Sequence, residues 1–119
     1  MQATLALNRA ELRRYIERIS DRWRLDGAYL GGAAVTGDSG EQALGDLAAQ
    51  FTVVLVSDAF DEIPWLERVY VSTSLWDALE MGAAADVHCY TRAEFERRRD
   101  SMPVVRDAVW HGLDLLVFI

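Results

Sequence analysis

Apolar positions recur along the chain with two different periods. Leu12, Tyr15, Ile16, Ile19 and Trp23 fall at helical spacing, and Asn8 with Glu11 three residues later is the signature of a capping box at the start of that helix. Ala28, Tyr29 and Leu30 form a short apolar strand running into Gly31-Gly32, and the segment Ala33 to Ala49, small, polar and rich in glycine, reads as irregular or only partly helical. Phe51 to Val56 is almost continuously apolar or β-branched, which predicts a strand covered on both faces and therefore central. After an acidic loop, Pro64 stands where a first-turn proline is tolerated, and Trp65, Leu66, Val69, Tyr70, Trp76 and Leu79 fit a helix, with strand propensity over Val69 to Thr73 as the competing reading. Ala85 to Tyr90 reads as a further strand, Thr91 with Glu94 as a second capping box, and Pro103 to His111 as a last helix stopped by Gly112. Leu113 to Ile119 is then expected to add a terminal strand. The order helix, strand, loop, strand, helix, strand, helix, helix, strand carries no repeat and no linker. It predicts an α/β or α+β domain with a mixed central sheet of about four or five strands flanked by helices.

Composition narrows this. A chain of 119 residues, 51% of them apolar, has room for one core, so residues 1–119 are read as a single domain. A formal net charge of −7 argues against general attraction to nucleic-acid phosphates. No apolar run approaches the roughly 20 residues of a membrane span, and the N-terminus lacks a secretory h-region, so a cytoplasmic protein with no membrane partner is expected. Cys89 is the only cysteine, which leaves no intramolecular disulfide and no cysteine-based metal site. Every basic side chain apart from the histidines is Arg, so lysine chemistry is excluded.

The ordered series GAYLGGAAVTG, FTVVLVSDAF, PWLERVYVSTSLWDAL, ADVHCYTRAEFERRR and VVRDAVWHGLDLL resembles the small bacterial and archaeal nucleotidyltransferase-domain proteins of the polymerase β superfamily, over nearly the whole chain from Asn8 onward. The resemblance implies a nucleotidyltransferase-like fold. It also implies a Gly-Ser pair after the first strand that helps hold a nucleoside triphosphate, an Asp-x-Asp pair opening the next strand, and a third Asp on a later strand, the three carboxylates together carrying two magnesium ions. Nucleotidyl transfer needs such a pair of cations, about 3.5–4 Å apart, to neutralise polyphosphate and stabilise the leaving pyrophosphate, and hard cations require oxygen ligands.

Aligned on VVLVSD, this chain departs from the pattern. Gln50 and Thr52 stand at the positions of the aspartate pair, Asp86 matches the third carboxylate, and Gly32-Ala33 replaces Gly-Ser, losing the hydroxyl. The resemblance thus points to a catalytically impaired member in which Asp86, Thr52 and Gln50 mark the former catalytic and metal positions, and Gly31, Gly32, Ala33 and His88 the nucleotide-binding ones. Asp38, Glu41 and Asp46 in the long segment offer an alternative set of acids. With them the chain would be an active magnesium-dependent transferase moving a nucleoside monophosphate to a protein or small-molecule hydroxyl. Family members often act beside a small helical partner protein, in arrangements that include toxin–antitoxin pairs, so a nucleotide, such a partner, or a second copy in a homodimer are the expected ligands.

Asp86, His88 and Tyr90 alternate onto one strand face, where they form either a small polar pocket with Gln50 and Thr52 or a solvated or internally hydrogen-bonded sheet end. Cys89, on the opposite face, is expected to be buried and inert. Arg13-Arg14 and Arg97 to Arg99 read as solvated helix faces, and Trp65, Trp76 and Trp110 as core or interface anchors.

Overall fold

A computed structural model describes residues 7–36 and 50–118. Helix α1 (Arg9–Ser20) begins at Asn8, whose side-chain oxygen accepts a hydrogen bond from the Glu11 backbone N–H at 3.1 Å. Only this half of the expected capping box forms. The Glu11 carboxylate is buried and instead pairs with Arg14 and Arg18, and Arg18 goes on to donate to the Leu75 carbonyl at 2.9 and 3.1 Å.

Strands β1 (Gly27–Gly31), β2 (Phe51–Val56), β3 (Ala85–Tyr90) and β4 (Leu113–Asp114) form one sheet in the order β3-β2-β1-β4. β1 runs antiparallel to β2 and β4, and β2 runs parallel to β3, so the sheet is mixed and Phe51–Val56 lies inside it with Ala85–Tyr90 beside it, as its apolar sequence requires. Strand alternation divides the core into two layers. Phe51, Val53, Leu55, Ala28, Leu30, Val87 and Cys89 meet Leu12, Tyr15, Ile16 and Ile19 of α1, together with Phe60, Trp76 and Met81. On the other face Val54, Val56 and Tyr90 meet Phe95 of α5 (Arg92–Arg98) and Val105 and Ala108 of α6 (Pro103–His111). The architecture is α/β, a mixed four-stranded sheet between helices.

Two expectations are revised. The helix expected through Leu79 breaks into α3 (Trp65–Ser74) and α4 (Ala78–Met81), because Trp76 turns inward, is buried, and donates its indole N–H to the Ala83 carbonyl at 2.9 Å, while Asp77 caps the new helix at the Glu80 N–H. The terminal strand is only two residues long. Asp114 Oδ1 accepts from the Leu116 N–H at 3.1 Å and starts the helical turn α7 (Leu115–Phe118), which seats Leu115 in the core. In the segment after Gly32, Ala33–Thr36 is the short helix α2, and residues 37–49 lie outside the described residues. The Thr91–Glu94 capping box forms in full, and Pro103 opens α6. Among the described residues no helix is long and apolar enough to cross a membrane.

Candidate functional site

The register of the sheet places Gly31, Thr52 and Asp86 in a single row across β1, β2 and β3, since Gly31 is opposite Thr52 and Thr52 opposite Asp86. Neighbouring strands lie about 4.8 Å apart, so this row brings the three residues to one end of the sheet, with their side-chain directions on one face. Gln50 and Gly32 lie one residue beyond the row, and Ala33 opens α2 next to them. His88 lies two residues further along β3 on the same face, in the row of Val54 and Tyr29. The positions singled out in the sequence therefore share one sheet end, with His88 just inside it.

Their chemistry is uneven. Thr52 is buried at 7% exposure, whereas Gln50 is exposed and Asp86 keeps 55% of its side chain in solvent. Asp86 Oδ2 lies 3.0 Å from His88 Nε2, and His88 Nδ1 lies 3.4 Å from the Tyr90 hydroxyl, which is also 3.4 Å from the Met102 sulfur. Aspartate, imidazole and phenol thus form a chain of polar contacts leading from the open end of the strand into the layer under α5 and α6. Burial raises the Tyr90 pKa above its ordinary value; nearby Arg98 opposes the rise, and Asp86, Cys89 and Glu94 add to it. The phenol remains a neutral donor. Trp65 lies against its ring with centroids 5.5 Å apart.

Both glycines are tied up by the protein itself. A Cβ at Gly31 would lie 2.8 Å from the Ala108 Cα, so the missing side chain is what lets α6 press onto β1. Gly32 has φ +102°, a left-handed value, and a Cβ there would lie 2.5 Å from the Gln50 carbonyl oxygen and 2.9 Å from the Phe51 Cα. Ala108 and the Gln50–Phe51 backbone occupy the space that the two missing side chains leave.

A pair of magnesium ions does not fit the described donor set. Asp86 is the one carboxylate in the row, Thr52 is neutral and buried, Gln50 offers a neutral amide, and among the described residues no group of three His, Cys, Asp or Glu side chains is placed to hold a metal. Asp38, Glu41 and Asp46 lie outside the described residues.

Two features escaped the reading of the sequence. Arg68 is buried and donates to the Ile63 carbonyl at 2.8 Å, to Glu94 at 2.8 Å and to the Cys89 carbonyl at 3.4 Å, with its guanidinium over Phe60 and Trp65. It ties α3 to β3 and α5. Leu66 and Tyr70, which fit the apolar period of α3, point into solvent. The sequence held a signal for the second: Trp65, Leu66, Val69 and Tyr70 span more of the helix circumference than one buried stripe uses. Comparison with protein-family models, with curated proteins and with solved structures gave no match.

Proposed function

We propose that this chain is a cytoplasmic nucleotidyltransferase-like module that works by binding and does not itself carry out metal-dependent nucleotidyl transfer. The observation that carries the reading is the row Gly31, Thr52, Asp86: among the described residues, the row where the sequence resemblance implies three carboxylates presents one. A mixed sheet with flanking helices, in which β2 lies between β1 and β3, is the coarse architecture on which such a site would be built. A lone carboxylate, hydrogen-bonded to an imidazole, cannot neutralise a triphosphate and hold two hard cations at once.

Of the two kinds of ligand, a protein partner is the better supported, because the backbone at Gly31 and Gly32 is closed over by α6 and by β2. A nucleotide is the second reading. It is favoured by the polar sheet end, where exposed Gln50 and Asp86 with His88 could hydrogen-bond a base or ribose. Calorimetric titration with ATP, with and without magnesium, separates them: heat that is unaffected by magnesium supports nucleotide binding without catalysis, and no heat leaves the protein partner. Incubation with radiolabelled ATP, magnesium or manganese and a candidate partner should transfer no label to protein. Transfer abolished in Asp86→Ala, or in a combined Asp38, Glu41 and Asp46 to Ala variant, would overturn the proposal in favour of an active transferase.

A further inference from the structure

The described surface is uneven in both hydrophobicity and charge, and the two coincide on α3. Leu66 and Tyr70, four residues apart and so adjacent on one helix face, are 78% and 75% exposed, and Leu79 on the following helix α4 is 95% exposed. Isolated exposed apolar residues are ordinary, but a Leu-Tyr pair on one face of a ten-residue helix is an unpartnered stripe. Residues 57–90, which contain it, carry seven carboxylates against one guanidinium, accounting for six of the chain's seven net negative charges. That one guanidinium, Arg68, is buried and engaged with Glu94 and two carbonyls. Asp61, Glu62, Glu67, Asp77 and Glu80 are all exposed. Glu67 follows Leu66 on α3 and Glu62 ends the turn before it, and neither is paired with a cation among the described residues, whereas Glu80 on α4 faces Arg14 at 3.9 Å. The outer face of α3 therefore joins an apolar pair to carboxylates that no arginine of the described residues engages.

We infer that this face docks an amphipathic helix of another protein, one that sets an apolar stripe on Leu66 and Tyr70 and flanks it with Arg or Lys facing Glu62 and Glu67. Charge selects this occupant over the others. Pairing of this face with itself in a two-fold dimer would bring the same acidic rim against its own copy, an arrangement in which like charges oppose the apolar contact. An anionic lipid surface attracts basic, not acidic, rims. A helix with basic edges satisfies both halves of the surface, since its stripe covers the apolar pair and its cations sit at the rim, where they speed encounter and fix register. The inference extends the binding reading of the chain to a defined surface, away from the sheet end that bears Asp86.

The test uses the full chain and three fluorescent peptides of equal length: a Leu-striped helix with Arg edges, the same stripe with Glu edges, and a scrambled peptide of the Arg-edged composition that has no stripe. Anisotropy should show binding of the Arg-edged helix alone. Its affinity should fall at least tenfold in Leu66→Ala/Tyr70→Ala and severalfold in Glu62→Gln/Glu67→Gln, the second pair also flattening the dependence on salt. All four side chains project into solvent, so the variants should melt with the wild type, and the Glu-to-Gln pair gives a readout that does not depend on the apolar one. Equal binding of the scrambled or Glu-edged peptide, or affinity unchanged by Leu66→Ala/Tyr70→Ala, would overturn the inference. So would a dimer in sedimentation, or binding to anionic vesicles, that is lost in the same variant. Because nucleotide is absent from these titrations, their failure leaves the sheet-end proposal standing, and a failed ATP titration leaves this one standing.

Discussion

Replacing Gly112 by alanine should be among the most damaging single-methyl changes in this protein, and the reason is purely steric. Gly112 has φ −94° and ψ −155°, extended backbone open to any L-residue, so alanine incurs no conformational penalty there. It should even gain about 0.4–1 kcal/mol by narrowing the unfolded ensemble. Against this, the new Cβ would lie 2.1 Å from the Leu30 carbonyl oxygen and 2.5 Å from that of Ala108. Both oxygens belong to fixed backbone. Leu30 is the β1 partner of Leu113 in β4, and the Ala108 carbonyl accepts the Gly112 N–H at 3.1 Å as α6 ends. Relief requires α6 and β4 to part from β1 by roughly an ångström, which loses about one or two hydrogen bonds at ~1 kcal/mol each on top of overpacking of about 1–3 kcal/mol. The net loss is about 2–4 kcal/mol, or roughly 10 °C in melting temperature for a domain of this size.

Two other glycines calibrate the measurement. Gly82 ends α4 at φ 92°, so Gly82→Ala should cost about 1 kcal/mol through backbone strain. A Cβ at Gly27 would meet the side chains of Tyr29 and Val56 at 3.4–3.5 Å, ordinary contact distance, and Gly27→Ala should be near neutral. Thermal melts followed by circular dichroism should rank the variants Gly27→Ala, Gly82→Ala, Gly112→Ala in order of increasing loss. A Gly112→Ala protein that melts above Gly82→Ala would refute the steric reasoning and the close seating of α6 on β1 that it depends on.

Two further outcomes follow from ionisable groups in and beside β3. Burial pushes the Cys89 thiol up to about 11, against the opposing effects of Ser72 and Arg68, so at pH 8 a thiol reagent should label the native chain at least tenfold more slowly than the urea-unfolded chain; equal rates would show that β3 is not covered as described. Burial acts to raise the Glu94 pKa, but hydrogen bonds from Arg68 and Thr91 bring it below its ordinary value of 4.5, so the stability it adds is fully present above pH 4.5 and is lost as pH falls through the lowered value. The melting-temperature gap between the wild type and Glu94→Gln should accordingly be largest near neutrality and shrink in acid, and a gap that widened in acid would reverse the assignment.

The layers of this fold were legible in the sequence wherever burial and period agreed. Phe51–Val56 has no polar interruption beyond Thr52 and lies inside the sheet, and Thr91 with Glu94 closes a capping box whose two hydrogen bonds are both local. Legibility failed where a long-range contact decided a local outcome. Trp76 fits the helical period of α3, yet the helix stops before it, because the indole finds the Ala83 carbonyl and a place beside Tyr15 and Phe51. Glu11 has the spacing of a capping residue, yet Arg18, one turn beyond Arg14, draws its carboxylate along the helix towards Leu75. In both cases a distant residue completes the arrangement, Tyr15 and Phe51 around Trp76 and the Leu75 carbonyl beyond Arg18, and none of these lies within a dozen residues of its partner.

At the sheet end the sequence indicated which residues would meet, and it could do so because strand alternation and register need only periods of two. What it could not supply was depth. Thr52 and Asp86 are partners in the same row, yet one is buried and the other mostly in water, a difference set by where α6 crosses the face. That crossing is fixed by Gly31, which resembles a phosphate-approaching glycine by position and which here admits the Ala108 backbone. A glycine seen only in sequence promises that something comes close to the backbone, and it does not say whether that something is a ligand or another part of the chain. At Gly31 it is a helix, and this moves the weight of the functional reading from the sheet end to the exposed acidic and apolar face of α3, where Leu66 and Tyr70 have no partner within the described chain.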